Sequence, residues 1–274
     1  MKIIALCGKK QSGKTTLSNL LHGHEMKRHD VVQDFSINEF GSLVVNYVEF
    51  DDKGKEKEGT AIFDLWQQNQ EFAGYAQRFI WPLIKGYNFA DALKEICMNL
   101  FNLSYEQLYG TDSWKNSPTD FNWENMPGWT SDPACPVGNY YHKPGPMTAR
   151  EFMQYFGTDI MRKINKNVWI DNCIKRINHD QPPIAIISDC RFTNEIEAVK
   201  AVGGKVINLT RDPYSGDHSS ESDLDSYSNF DGVIDNKNMT IQESCSAFLD
   251  MAVDMGITQH IRTINPRLGT ASVK

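Results

Sequence analysis

Residues 8–15 read GKKQSGKT and follow directly on the apolar run KIIALC of residues 2–7. Lysines this close together repel one another, and glycine weakens any regular element it interrupts. A segment of this kind needs an anion to sit against. The apolar run has the composition of a strand buried on both faces of a parallel sheet. Leu17, Leu20 and Leu21 then recur at helical spacing through residues 13–22. Strand, glycine-rich turn and helix, in that order, aim main-chain N–H groups and a helix N-terminus at one point.

The segment fits G-x-x-x-x-G-K-[ST] at every position, in the strand-to-helix context that the motif requires. Its glycines let the backbone wrap a polyphosphate, Lys14 can reach the β- and γ-phosphates, and the Thr15 hydroxyl can ligate Mg²⁺. The expected ligand is an ATP-type polyphosphate. A P-loop alone does not fix the reaction. The guanine-reading pattern N-K-x-D is absent, because Asn165-Lys166-Asn167-Val168 ends in valine. No long hydrophobic strand ends in Asp-Glu, as a motor ATPase would need.

A second strand–helix–strand unit is expected further on. Residues 182–190 form a buried strand, residues 193–204 a helix stopped by Gly203-Gly204, and residues 205–211 the next strand. Such a crossover implies an α/β fold with a central parallel sheet. Residues 43–63 read as a β-hairpin with a solvated, charged tip. Residues 63–84 read as a helix up to the break at Trp81-Pro82. Residues 87–103 read as a strand end running into an amphipathic helix. Residues 148–164 read as a helix with Thr148 and Glu151 in capping-box register. The chain is expected to be one domain over 1–274, with a hairpin and helix inserted at 40–85 and an irregular insertion at 111–147. Trp114, Trp123 and Trp129 are expected to pack that second insertion, the C-terminal ten residues to fray, and His22, His24 and His29 to lie at the surface.

The 274 residues, 40% hydrophobic and 11% aromatic, can bury a substantial core. A net charge of −7 disfavours broad nucleic-acid binding, which needs an extended basic face. The six cysteines form no C-x-x-C pair and read as reduced, buried thiols. No apolar run approaches the ~20 residues needed to span a bilayer. The expected location is the cytoplasm, the host's if the chain is phage-encoded.

Arg, Lys and Asp residues gather at expected strand ends, where ligands bind open parallel sheets. The stretches are FADALKE (89–95), TAREFMQYFGTD (148–159), SDCRFTNE (188–195) and LTRDP (209–213). With the P-loop, GG-x-V-I-x-x-x-R (203–211) and HSSESDLD (His218–Asp225), they resemble the bacteriophage deoxynucleoside monophosphate kinases and, more distantly, dephospho-coenzyme A kinases. The resemblance covers most of the chain outside 40–85 and 111–147. It implies a three-layer P-loop kinase fold with lid-like elements. It also implies ATP-dependent phosphorylation of deoxynucleoside 5′-monophosphates, with Mg²⁺, small-molecule nucleotide partners and no membrane.

By the same resemblance, Lys10, Gln11, Ser12, Gly13, Lys14, Thr15 and Thr16 would hold the donor phosphates, with Arg211 beside the donor nucleotide. Arg150 and Arg191 would clamp phosphates during transfer. Gly157, Thr158 and Trp169 would form the monophosphate pocket. Asp189 and Glu195 would orient Arg191 or the base, and Asp91 and Lys94 would lie near the acceptor phosphate. Plainer readings stay open. Arg150 could support its helix, Asp189 and Arg191 could be a structural ion pair, Trp169 could be core, and Asp91 could be a helix N-terminal charge. The insertions could admit a modified base or make a homodimer contact. Two other activities also stay open: a kinase acting on a modified base in DNA or on another small molecule, and an ATP-binding regulator or assembly protein.

Overall fold

A computed structural model describes residues 1–50, 55–65, 67, 69–134, 140–212, 224 and 226–261. In chain order the elements begin with strand β1 (Lys2–Cys7), helix α1 (Lys14–Arg28), strands β2 (Asp34–Ile37), β3 (Leu43–Phe50) and β4 (Glu56–Ile62), helix α2 (Gln70–Phe79) and strand β5 (Ile84–Tyr87). Helices α3 (Asp91–Phe101), α4 (Tyr105–Tyr109) and α5 (Asp112–Lys115) follow, then short strands β6 (Pro118–Asn122), β7 (Trp129–Thr130), β8 (Tyr140–Tyr141) and β9 (Pro146–Thr148). Helix α6 (Ala149–Gln154) runs into a π-helix (Tyr155–Met161) and helix α7 (Arg162–Ile164), followed by helix α8 (Val168–Asp180). Strand β10 (Ile184–Cys190), helix α9 (Thr193–Ala201), strands β11 (Lys205–Leu209) and β12 (Gly232–Ile234) and helix α10 (Ile241–Asp254) complete the described chain.

The backbone divides into two compact units, Met1–Asn88 with Arg176–Lys274, and Phe89–Lys175. The first holds a five-stranded sheet in the order β12-β11-β1-β10-β5, and every pairing in it is parallel. Its central strands are apolar without alternation because helices cover both faces. Ile3 to Cys7 and Ile184 to Ile187 are buried throughout. The β10–α9–β11 crossover skips over β1 and places β1 at the centre of the sheet. The fold is therefore the α/β P-loop kinase type that the motif order implies.

A three-stranded antiparallel sheet, β2-β3-β4, contains the expected hairpin and adds β2. It overturns one expectation. His22 and His24 are not at the surface but buried, at 3% and 5% exposure, while His29 is exposed. Helix α1 is covered on nearly all sides. At Gly23 the Phe35 and Leu43 side chains approach so closely that a Cβ would lie 2.4 Å from the Phe35 ring. His24 Nε2 pairs with the Gln259 carbonyl at 2.8 Å on another face of the helix. The helix is buried on most faces, and its buried Asn19 finds a partner there, donating to the Gly41 carbonyl at 2.9 Å. A second expectation also shifts. The helix expected from residue 63 begins only at Gln70, because the Asn69 side chain accepts the Phe72 amide at 2.7 Å and fixes the N-terminus there.

The second unit is built on Cys97, Leu103, Leu108, Trp123, Met147, Ala149, Phe152 and Tyr155. Trp123 is buried and stacks on His142 at 4.2 Å, and Trp129 Nε1 donates to the His142 carbonyl at 2.9 Å, so both pack the insertion as expected. Trp114 is instead half-exposed. The capping box forms as the spacing predicts, with the Thr148 hydroxyl accepting the Glu151 amide and the Glu151 carboxylate accepting the Thr148 amide at 2.7 Å. The helix does not stay regular to residue 164, because residues 155–161 widen into the π-helix.

The five described cysteines are buried and form no disulfide, as the spacing implied. Among the described residues no helix is long and apolar enough to cross a membrane. Of the expected hairpin tip, residues 51–59, residues 56–59 belong to β4 and residues 51–54 lie outside the described residues, as do the His218–Asp225 motif except residue 224 and the C-terminal ten residues.

Candidate functional site: a P-loop and a second basic cluster

The P-loop runs from the end of β1 to the first turn of α1. Gly8 has φ +136°, and a Cβ there would lie 2.7 Å from both the Leu209 carbonyl oxygen and Ser12 Oγ. Gln11 (φ 58°) and Gly13 (φ 105°) also take left-handed conformations, which curl the chain into a concave nest. The Ser12 amide closes the turn on the Lys9 carbonyl at 3.2 Å, and the Leu17 amide opens the helix on Gly13 O at 3.1 Å.

Lys14 is buried in this loop. Its Nζ donates to Gly8 O at 2.6 Å, Lys9 O at 2.7 Å and Ser12 Oγ at 3.3 Å. Neutral oxygens position the ammonium here, and a phosphate oxygen is a stronger acceptor than either carbonyl. Lys10 and Thr16 are half-buried, Ser12 is buried, and Gln11 and Thr15 are exposed. Lys9 Nζ reaches Asp212 at 2.9 Å and ties the loop to the segment after β11.

Arg211 lies on that same segment. Its Nε donates to Asn236 O at 3.1 Å and its Nη2 to Met239 O at 2.5 Å. Register pairs Cys7 with Cys190, so the carboxyl end of β10, with Asp189 and Arg191, stands beside the start of the P-loop. Burial pushes the Cys190 thiol well up, with help from its neighbour Cys7, so it stays a neutral filler. Glu195 is buried, and its carboxylate accepts the main-chain amides of Arg191 at 2.8 Å and Phe192 at 3.1 Å. This grip holds the Arg191 backbone at the helix N-terminus.

The remaining candidates fall in the second unit. Asp91 is buried in the first turn of α3. Lys94 Nζ sits 4.1 Å from the centroid of the Tyr109 ring, which in turn stacks on Tyr105 at 4.9 Å. Arg150 donates through Nη2 to Asp112 at 2.7 Å, while its Nε is buried without a hydrogen-bond partner among the described residues. Gly157 lies in the π-helix, packed so tightly that a Cβ would meet Leu93 at 2.6 Å, and Thr158 follows it. Trp169 is buried, with its Nε1 donating to the Gly157 carbonyl at 3.0 Å. A π-turn of this kind is common at functional positions.

Thus Lys10 to Thr16, Asp189, Arg191, Glu195 and Arg211 belong to one unit. Asp91, Lys94, Arg150, Gly157, Thr158 and Trp169 belong to the other. Three partners escaped the sequence reading. Asn236 touches the P-loop from the polar stretch DNKN, which carries no motif and comes near only because β12 pairs with β11. Asp112 and Tyr109 stand on short helices between motifs, with no spacing signal of their own.

A family model described as deoxynucleotide monophosphate kinase matches residues 135–244. A protein of Acanthamoeba polyphaga mimivirus, provisionally named a deoxynucleotide monophosphate kinase, is 32% identical over 179 residues, which span 59% of this chain and 79% of the relative.

Proposed function

This chain belongs to the deoxynucleotide monophosphate kinase family, and from that membership we propose that it transfers the γ-phosphoryl group of ATP to a deoxynucleoside 5′-monophosphate. The products are ADP and the deoxynucleoside diphosphate. The observation that carries this reading is the P-loop itself, with its left-handed turn and the Lys14 ammonium held on three loop oxygens.

In this reading the main-chain amides of residues 10–16 and the N-terminus of α1 bind the donor phosphates, and Lys14 leaves the loop carbonyls for the β- and γ-phosphates. Arg191, fixed by Glu195, offsets charge as it moves to the leaving oxygen. Arg150 has a spare buried N–H, and a second N–H given to Asp112. It can turn this donor edge to the acceptor phosphate, with Lys94 as a second cation. An acceptor phosphate is already nucleophilic, so positioning and positive charge suffice without a strong general base. Among the described residues no three His, Cys, Asp or Glu side chains gather as a metal cage. That suits Mg²⁺ carried on nucleotide phosphates with the exposed Thr15 hydroxyl as one oxygen donor. The ion would neutralise phosphate charge during transfer.

The test is ADP release with ATP and Mg²⁺ against each deoxynucleoside monophosphate, a ribonucleotide set, and single-stranded and duplex DNA. Release that depends on a deoxynucleoside monophosphate is the expected result and ranks the bases. Release driven by DNA alone would move the acceptor to a polymer. Slow release indifferent to every acceptor would leave an ATP-dependent switch.

A further inference from the structure

Asn236 is 2% exposed and makes three directed bonds that join the P-loop to Arg211. Its Nδ2 donates to the Ser12 carbonyl at 2.8 Å, its Oδ1 accepts the Arg211 amide at 2.9 Å, and its own carbonyl accepts Arg211 Nε at 3.1 Å. Both ends of the carboxamide are matched in polarity, so its orientation is fixed. In a trans peptide the carbonyl of one residue and the N–H of the next point to opposite sides. Holding Ser12 O from the Asn236 side therefore turns the Gly13 N–H away from Asn236. Gly13 itself, at φ 105°, could otherwise rotate freely.

We propose that Asn236 is the positioning residue of the donor-phosphate site. It locks the Ser12–Gly13 peptide plane so that the Gly13 N–H stays in the phosphate nest, and it joins that plane to the main chain of Arg211. The assignment rests on the P-loop reading above and names a residue outside the motif. A carboxylate in place of the amide would set an oxygen against the Ser12 carbonyl and destroy the lock at constant volume. Serine would be too short to bridge Ser12 and Arg211.

The experiment measures direct binding of ATP and, separately, of dTMP to the full chain by titration calorimetry, with thermal melts, for wild type, Asn236→Asp and Asn236→Ser. Loss of a buried charged-ligand contact predicts ATP affinity weaker by about tenfold or more in both variants, with dTMP affinity unchanged and a cooperative melt retained. ATP affinity within about twofold of wild type in a folded variant overturns the proposal. So does an equal loss of ATP and dTMP affinity that tracks the melting temperature, and so do two variants that both fail to fold, because each makes Asn236 merely structural. Wild type that binds no ATP overturns the P-loop reading and this assignment together. Wild type that binds ATP but phosphorylates no monophosphate sinks the proposed reaction alone, and the ATP titrations still decide Asn236.

Discussion

In the first unit most of the atoms assigned to phosphate are main-chain N–H groups, while in the second they are side-chain nitrogens of Arg150 and Lys94. The two kinds of site hold their geometry differently. The P-loop is fixed by backbone conformation: left-handed residues at Gly8, Gln11 and Gly13, and a carbonyl held by Asn236. Arg150 and Lys94 are held by neighbours that a phosphate can replace, namely the Asp112 carboxylate and the face of Tyr109. In the proposed reading the first site is built before ligand arrives, and the second would exchange partners when it does. Lys14, held on the Gly8 and Lys9 carbonyls, is a side chain of the first unit that would exchange partners in the same way. Replacing it should show the largest effect of any single change. Lys14→Ala should lower kcat by about 10²- to 10³-fold, the scale of losing one preorganised charge-stabilising group. ADP release at saturating ATP reads it, and a loss confined to KM would place Lys14 in ground-state binding only.

The second unit can be tested by separating charge from shape. Arg150→Lys keeps the charge but loses the planar fork that a carboxylate or phosphate fits. We expect KM for the monophosphate to rise by roughly 10-fold, with KM for ATP unchanged. Asp112→Asn should act in the opposite sense on KM, because the exchange partner becomes a weaker competitor for the guanidinium. If Arg150→Lys raises both KM values equally, the contrast between the units collapses and Arg150 is a support for its helix.

Legibility followed local backbone requirements and not the division between the units. The P-loop could be read because backbone strain forces glycine into the chain, and a parallel sheet forces unbroken apolar runs such as residues 2–7. The capping box at Thr148 and Glu151 was legible for a similar local reason. Asn236 was not, because its role is created by β11 and β12 pairing far from the motif. Nor was the π-helix, whose residues YFGTDIM have no pattern that separates them from ordinary helix. The histidines of α1 misled because burial there comes from β2, β3 and the segment at 259, none of it local to the helix. That burial has a measurable consequence. Desolvation lowers the His22 pKa from 6.5 to about 4, against a bond from its ring to the Ser18 carbonyl. Burial also lowers that of His24. A depressed folded pKa means the unfolded chain takes up protons first. Stability is therefore complete above pH 6.5 and falls as the pH drops toward 4. His22 alone should cost about 2 kcal/mol by pH 5. Urea unfolding at pH 7 and pH 5 measures it, and His22→Asn should flatten the slope. A wild-type stability equal at both values would mean that α1 is not closed over its histidines.

The smallest expected effect concerns Trp169, where the packing and stacking readings part. Its ring is 5% exposed and its indole N–H satisfies the Gly157 carbonyl inside the π-helix. Trp169→Phe keeps an aromatic face but leaves that buried carbonyl without its donor, which costs about 1 kcal/mol. The expected outcome is a melting temperature lower by a few degrees, with KM for the monophosphate nearly unchanged. Trp169→Leu removes the face as well. If stacking on the base were its work, leucine would raise KM far more than phenylalanine at similar stability. If support of the π-helix is its work, both variants lose stability, and KM stays close to wild type in each. Comparing the two variants at matched stability therefore decides whether this side chain stacks on the nucleotide or supports the π-helix.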